Sequence, residues 1–164
     1  MVGERKVRSD KKVDVKPTMS LELKSKLYEF AETCNKPVKD IGELLCVEGL
    51  KSKLIIEKLC KWLRRNYYYN STIAIGHIER PRLKLKALGD TGKVTIRFVR
   101  EDYDKLCDLA YAMDLTPSAT ATVLIRLTMN NSEFMDYFVD SLYEGSDLQK
   151  GKIKQYLIKG GYYD

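Results

Sequence analysis

Residues 93–102, KVTIRFVRED, alternate strictly: Val94, Ile96 and Phe98 fall on one side of an extended chain, and Lys93, Thr95 and Arg97 on the other. Directly behind this stretch, EDYDKLCDLAYAMD spaces Tyr103, Leu106, Leu109, Ala110 and Met113 at three- and four-residue intervals, the period of a half-buried helix. LTPSATATVLIRLTMNN follows. There Thr116 is a good N-cap and Pro117 suits the first helical position, so a second helix is predicted with Ala121, Leu124, Ile125 and Leu127 turned inward. The predicted order is strand, helix, short turn, helix.

The same order recurs when the chain is shifted by 79 residues. Glu22 then meets Glu101, Lys26 meets Lys105, Leu27 meets Leu106 and Ala31 meets Ala110. Apolar class matches at Met19 with Phe98, Phe30 with Leu109, Cys34 with Met113 and Leu45 with Leu124. In this earlier copy Ser20 can cap the first helix and Pro37 can sit in the first turn of the second. Pro17 interrupts the first strand, which a two-stranded ribbon tolerates if the missing N–H lies on the free edge.

Between the copies, Leu50, Leu54, Ile55, Lys58, Leu59 and Trp62 predict an amphipathic helix to about Arg65, made basic by Lys51, Lys53, Lys61, Arg64 and Arg65. Ile73 and Ile75, then Leu83 and Leu85, alternate with polar neighbours as a small hairpin or an extended crossing, and GDTG at 89–92 marks a turn. In the tail, Phe134, Met135, Phe138 and Leu142 predict one helix, broken near Gly145, and Ile153, Tyr156 and Leu157 a second.

Composition adds a sign. Lys and Arg number 29 against 23 Asp and Glu, for a net charge of +6, as expected of a protein that meets a polyanion. Cys34, Cys46, Cys60 and Cys107 show no C-x-x-C spacing and read as buried, reduced thiols. With one histidine and no paired cysteines, no metal or other cofactor is expected. The charged opening MVGERKVRSDKKVDVK lacks a signal-peptide core, and no stretch reaches the ~18 apolar residues of a membrane span, so a cytoplasmic protein without membrane contact is expected.

A short strand cannot bury its apolar face alone, and the repeat supplies a partner. Antiparallel pairing would lay one face on the helices and expose Lys93, Thr95 and Arg97 beside Lys16, Thr18 and Asp14. A two-stranded ribbon fits the DNA major groove, where Arg binds guanine through two hydrogen bonds. The second-helix N-termini, near Thr116 and Ser118 and near Val38 and Lys39, would offer N–H groups to phosphates.

VTIRFVREDYDKLCDLAYAMDLTPSATATVLIRL and, less cleanly, KPTMSLELKSKLYEFAETCNKPVKDIGELL resemble the ribbon-helix-helix fold of the MetJ/Arc superfamily. Two copies in one chain are similar to the TraY-type accessory proteins of conjugative plasmids. The resemblance implies base contact by Lys93, Thr95, Arg97, Lys16 and Thr18, phosphate contact by Thr116, Ser118, Val38 and Lys39, double-stranded DNA as partner, a homo-oligomer on DNA, and a relaxase or other plasmid protein as a further partner. Pro17 and Asp14 depart from a usual DNA-facing ribbon, and Thr120 stands where the family has an aliphatic residue.

The expected organisation is mainly α with a short two-stranded antiparallel ribbon. A flexible basic arm spans 1–12, ribbon-helix-helix copies span 13–50 and 93–130, a basic helix and connector fill 51–92, and a helical extension occupies 131–164. The function expected is sequence-specific, non-catalytic DNA binding, either as a transcriptional repressor or as a plasmid-transfer accessory factor; the alternative is a protein-interaction module whose ribbon only mediates assembly. No paired carboxylates, nucleophile with base, or phosphate loop stands at working spacing for an enzyme. Tyr67 to Tyr69 read as packing or as a rim for phosphate. RPRLKLKAL reads as a solvated strand face, or else as a phosphate track of Arg80, Arg82, Lys84 and Lys86.

Overall fold

The computed structural model describes residues 11–85 and 89–159; the expected basic arm, apart from Lys11 and Lys12, and Lys86 lie outside them. The fold is mainly helical with small antiparallel pairs of strands. In chain order it runs β1 (Val13–Val15), β2 (Thr18–Ser20), α1 (Leu21–Thr33), α2 (Val38–Leu50), α3 (Lys53–Leu59), β3 (Tyr67–Tyr69) and β4 (Thr72–Ala74). It continues with β5 (Thr91–Lys93), β6 (Ile96–Phe98), α4 (Arg100–Met113), α5 (Pro117–Met129), α6 (Ser132–Tyr137) and α7 (Asp147–Lys159).

β1 pairs with β6, placing Val13 opposite Phe98 and Asp14 opposite Arg97, and β2 pairs with β5, placing Thr18 opposite Lys93 and Ser20 opposite Thr91. Both pairings follow one continuous register, which sets Lys16 opposite Thr95 and Pro17 opposite Val94. The ladder breaks between them for a local reason. Val94 N donates to Pro17 O at 3.2 Å, so this position is a hydrogen-bonded pair, and the reciprocal donor is the N–H that proline lacks. The expectation that Pro17 turns its missing N–H to the free edge is therefore wrong: it faces the partner strand and removes one ladder bond.

Alternation sorts the ribbon into two faces. Val15, Pro17, Met19, Val94, Ile96 and Phe98 are buried, whereas Asp14, Lys16, Thr18, Lys93, Thr95 and Arg97 are exposed. α2 packs against α5 and β6, and α5 against β2, so each second helix supports the strand from the other end of the chain. Two glycines let α2 come close: a Cβ on Gly42 would lie 3.0 Å from Ile96 Cδ1, and one on Gly49 would lie 3.2 Å from Thr128 Cγ2. Thr120 is tolerated in this core because its hydroxyl donates to Thr116 O at 2.9 Å, leaving no buried donor unpaired.

The two strand-helix-helix segments superpose in sequence spacing. α1 and α4 start 79 positions apart at Leu21 and Arg100, and α2 and α5, of 13 residues each, start 79 apart at Val38 and Pro117. The left-handed residues just after the first helices, Asn35 and Asp114, are also 79 apart, and both take a φ of 55°. Asn and Asp are the non-glycine residues that best accept this left-handed conformation.

The connector departs from expectation. Instead of one helix to Arg65, the chain breaks at Lys51 and Ser52, runs through α3, and closes in a tight turn at Cys60–Trp62. The hairpin is β3 with β4, not residues 73–75 with 83–85; Asn70 and Ser71, at φ 46° and 59°, make its two-residue turn. Tyr67 and Tyr69 are buried, their rings stacked 5.7 Å apart, and the Tyr67 hydroxyl donates to Leu50 O at 2.6 Å. Burial pushes that phenol's pKa far up.

The tail forms α6, a widened helical turn at Phe138–Leu142, and α7, with the expected break near Gly145. It covers α1: Phe30 and Phe138 lie 5.8 Å apart, Tyr143 donates to Cys34 O at 2.6 Å, and Tyr156 to Glu29 Oε2 at 2.8 Å. Cys34 and Cys46 are buried and Cys60 and Cys107 half-buried, all as free thiols; desolvation pushes the Cys34 pKa up to about 12.

Candidate nucleic-acid interface

All five strand residues expected at bases, Lys16, Thr18, Lys93, Thr95 and Arg97, are exposed on the one outward face, joined there by Asp14. Across the strands they form three pairs, Asp14 with Arg97, Lys16 with Thr95 and Thr18 with Lys93. The face carries three cations and one carboxylate, and Arg97 is tied to that carboxylate, Nε to Asp14 Oδ1, at 2.8 Å. Both partners stay about half exposed, 55% and 48%. Solvent therefore screens the pair, which contributes little to stability.

Each end of the ribbon meets the N-terminus of a second helix. At one, a cleft of about 460 Å³ lies between β2 and α5, its polar lining made by Thr18, Ser20, Glu22, Thr116, Ser118, Thr122 and Arg126 and its apolar lining by Met19, Leu85 and Ala119. Thr116 Oγ1 caps α5 by accepting from Ala119 N at 3.1 Å, and Thr122 Oγ1 fastens α5 to the ribbon by donating to Thr18 O at 2.9 Å. Thr116 is exposed and Ser118 half-buried. Its uncharged polar groups are hydroxyls around a capped helix end, and Glu22 and Arg126 are its charged members.

At the other end, a smaller cleft of about 230 Å³ lies between β6 and α2, lined by Lys12, Lys39, Asp40, Glu43 and Arg97. Val38 is half-buried and Lys39 exposed at the start of α2, and Pro37 offers no side-chain cap. Asp40 occupies the first turn and Glu43 holds Lys12 at 3.2 Å. Acidic groups at a helix N-terminus already satisfy its partial positive charge and repel a second anion.

Three residues shaping this surface escaped the sequence reading of contacts: Lys12, Asp40 and Glu43. The strand register, had it been known, would have placed Asp14 against Arg97, because antiparallel neighbours follow from one paired position. Nothing in the linear pattern brings Glu43 to Lys12.

The basic connector stands apart from this surface in its local bonding. Arg80 Nη1 donates to the carbonyls of Cys60, Leu63 and Ile75, which anchors that end of its guanidinium to the fold. Arg82 and Lys84 remain exposed. Arg65 stacks over Tyr111 at 4.3 Å, donates to Tyr111 O at 2.8 Å, and bonds Asp114, which Arg64 Nε also approaches at 2.9 Å. Tyr68, Ile73, Ile75 and Ile78 form exposed apolar positions on and after the hairpin.

Among the described residues, no helix is long and apolar enough to cross a membrane. The chain matches no protein-family model, no curated protein and no solved structure.

Proposed function

We propose that this chain is a site-selective double-stranded DNA-binding protein, built as two ribbon-helix-helix copies in one polypeptide, that reads the major groove with its ribbon. The carrying observation is the single register through β1, β2, β5 and β6, which gathers Lys16, Thr18, Lys93, Thr95 and Arg97 on one exposed face. A ribbon of this kind enters the major groove, where Arg and Lys bond guanine and Thr reaches base edges or the thymine methyl. The equal spacing of helices and left-handed positions supports the tandem reading. The role is a repressor's or a plasmid-transfer accessory factor's, without a catalytic step, and with further copies of the chain or a plasmid protein such as a relaxase as partners on DNA.

Of the two flanking clefts, the one at α5, where five hydroxyl side chains and Arg126 stand with a single carboxylate, Glu22, suits a phosphate better, through Thr116 and Ser118. The α2 cleft, through Val38 and Lys39, is the weaker phosphate site because Asp40 and Glu43 share it.

The test is selection from a random duplex pool at near-physiological salt, followed by sequencing of the retained molecules. One enriched motif is expected, and Arg97→Ala should cost roughly 1–3 kcal/mol on that motif with little change on random duplex. Equal losses on both would make Arg97 a phosphate contact.

A protein-interaction module is the second reading, favoured by exposed Tyr68, Ile73, Ile75 and Ile78. Salt separates the two: counterion release makes DNA affinity fall steeply with salt, and apolar association does not.

A further inference from the structure

Arg97 is held at one edge only. Its Nε donates to Asp14 Oδ1 at 2.8 Å, and among the described residues no other acceptor is bonded to the guanidinium. The four N–H groups on Nη1 and Nη2 remain, and they form the forked edge that matches guanine O6 and N7. An unrestrained arginine on a groove-facing strand sweeps many rotamers and reaches phosphates as readily as bases. A carboxylate on the neighbouring strand limits that sweep and opposes approach to any phosphate. At the other end of the ribbon Lys93 stands opposite Thr18, and no ion pair holds it among the described residues.

We infer that Asp14 is a positioning residue for base reading: it fixes Arg97 through Nε, presents the Nη1/Nη2 edge to a guanine, and keeps Arg97 off the phosphate backbone. The inference rests on the DNA-binding reading above. It makes the two ends of the ribbon unequal, with sharp discrimination at the Asp14–Arg97 end and mainly electrostatic attraction at the Lys93 end. It also gives a reason for the acidic residue that sits oddly on a surface meant for a polyanion.

The experiment compares the full chain with Asp14→Ala, Asp14→Asn and Arg97→Ala. Each is titrated against the duplex selected by the parent chain, against single-base variants at the pair whose preference Arg97→Ala abolishes, and against random duplex over a range of salt. Asp14→Ala should cut the preference at that pair by about tenfold, within the range of one bidentate contact. It should also bind random duplex more tightly, with a salt slope steeper by about 0.9 as the released Arg97 takes a phosphate. Asp14→Asn keeps a carbonyl acceptor for Nε and should recover most of the base preference without recovering the weak binding to random duplex.

If Asp14→Ala tightens every duplex alike and leaves the preference intact, Asp14 is only a repelling charge and the inference is wrong. The pair is checked separately by NMR of the Arg97 Nε–H in the free protein, whose resonance should shift in Asp14→Ala. A shifted resonance with no motif enriched by the parent chain would sink the DNA reading and the inference with it, while leaving the ion pair standing. An unshifted resonance beside a normal motif would sink the inference alone.

Discussion

The segment from 13 to 50 and the segment from 91 to 129 share a backbone plan but not a chemistry. Their first helices are followed by left-handed residues at equivalent positions, and their second helices meet at the centre, where Gly49 faces Thr128, its own counterpart 79 positions on. Around that shared frame the surroundings diverge. The tail buttresses α1 through Phe138, Tyr143 and Tyr156, whereas the connector buttresses α4 through Arg64, Arg65 and β3. One flanking cleft combines five hydroxyls with apolar side chains, Glu22 and Arg126, and the other is lined by charged residues alone. On the proposed DNA-binding reading, such unlike halves would recognise two unlike half-sites, whereas identical chains are bound to a palindrome.

The largest effect should come from unbalancing the frame itself. Phe98 and Met19 occupy equivalent inward positions on the ribbon and are 0% and 1% exposed. Phe98→Ala should cost about 3–5 kcal/mol in urea unfolding and Met19→Ala about 2–5, because both remove buried volume beneath the same ribbon. If both variants unfold in a single transition, the halves share one core; two transitions in Phe98→Ala would show that they unfold separately.

A smaller effect tests the clefts. Asp40→Asn at the start of α2 should tighten binding to random duplex, and Ser118→Asp at the start of α5 should weaken it. Each change should be about two- to fivefold, matching the 0.3–1 kcal/mol that one charge is worth near a helix N-terminus. Electrophoretic titration at fixed salt measures both. Insensitivity to Ser118→Asp would remove α5 from the phosphate contacts and leave the ribbon to bind alone.

Much of this plan is legible in the sequence because it depends on period. The alternation through Val94, Ile96 and Phe98 fixes which face is buried, and the three- and four-residue spacing of Leu106, Leu109 and Met113 does the same for α4. What is not legible depends on partners far away in the chain. Tyr67 and Tyr69 read as ambiguous aromatics, and become a buried strand only because Leu50 O receives the Tyr67 hydroxyl and Ile73 lies opposite Tyr68. Arg80 reads as one more surface cation, and is instead a clamp on three carbonyls. The Pro17 donor fails toward the partner strand, a direction that strand parity alone leaves open until the register is known.

The smallest effect probes the left-handed positions, where Asn35 in the first half corresponds to Asp114 in the second. Arg65, by hydrogen bonding, holds the Asp114 pKa below the ordinary carboxylate range, with the charges of Arg65, Arg64 and Arg82 acting in the same direction. A carboxylate whose folded pKa is depressed contributes stability that is complete above its unfolded value, near 4, and is lost as pH falls through the lower folded value. The urea midpoint should therefore fall on acidification below about pH 4 partly through this link between the connector and α4. Asn accepts the same backbone conformation but does not titrate, so Asp114→Asn should lower the midpoint slightly at pH 7 and fall less steeply with acid. Asn35→Asp, which places a carboxylate where no such arginine pair stands, should not create the missing pH dependence. If Asp114→Asn and the parent chain show parallel acid profiles, the connector is held instead by Arg65 on Tyr111 and by the backbone N–H groups of Arg64 and Arg65, which donate to the Ala112 carbonyl at 2.8 and 3.1 Å, and the charge difference between the two halves is without mechanical consequence there.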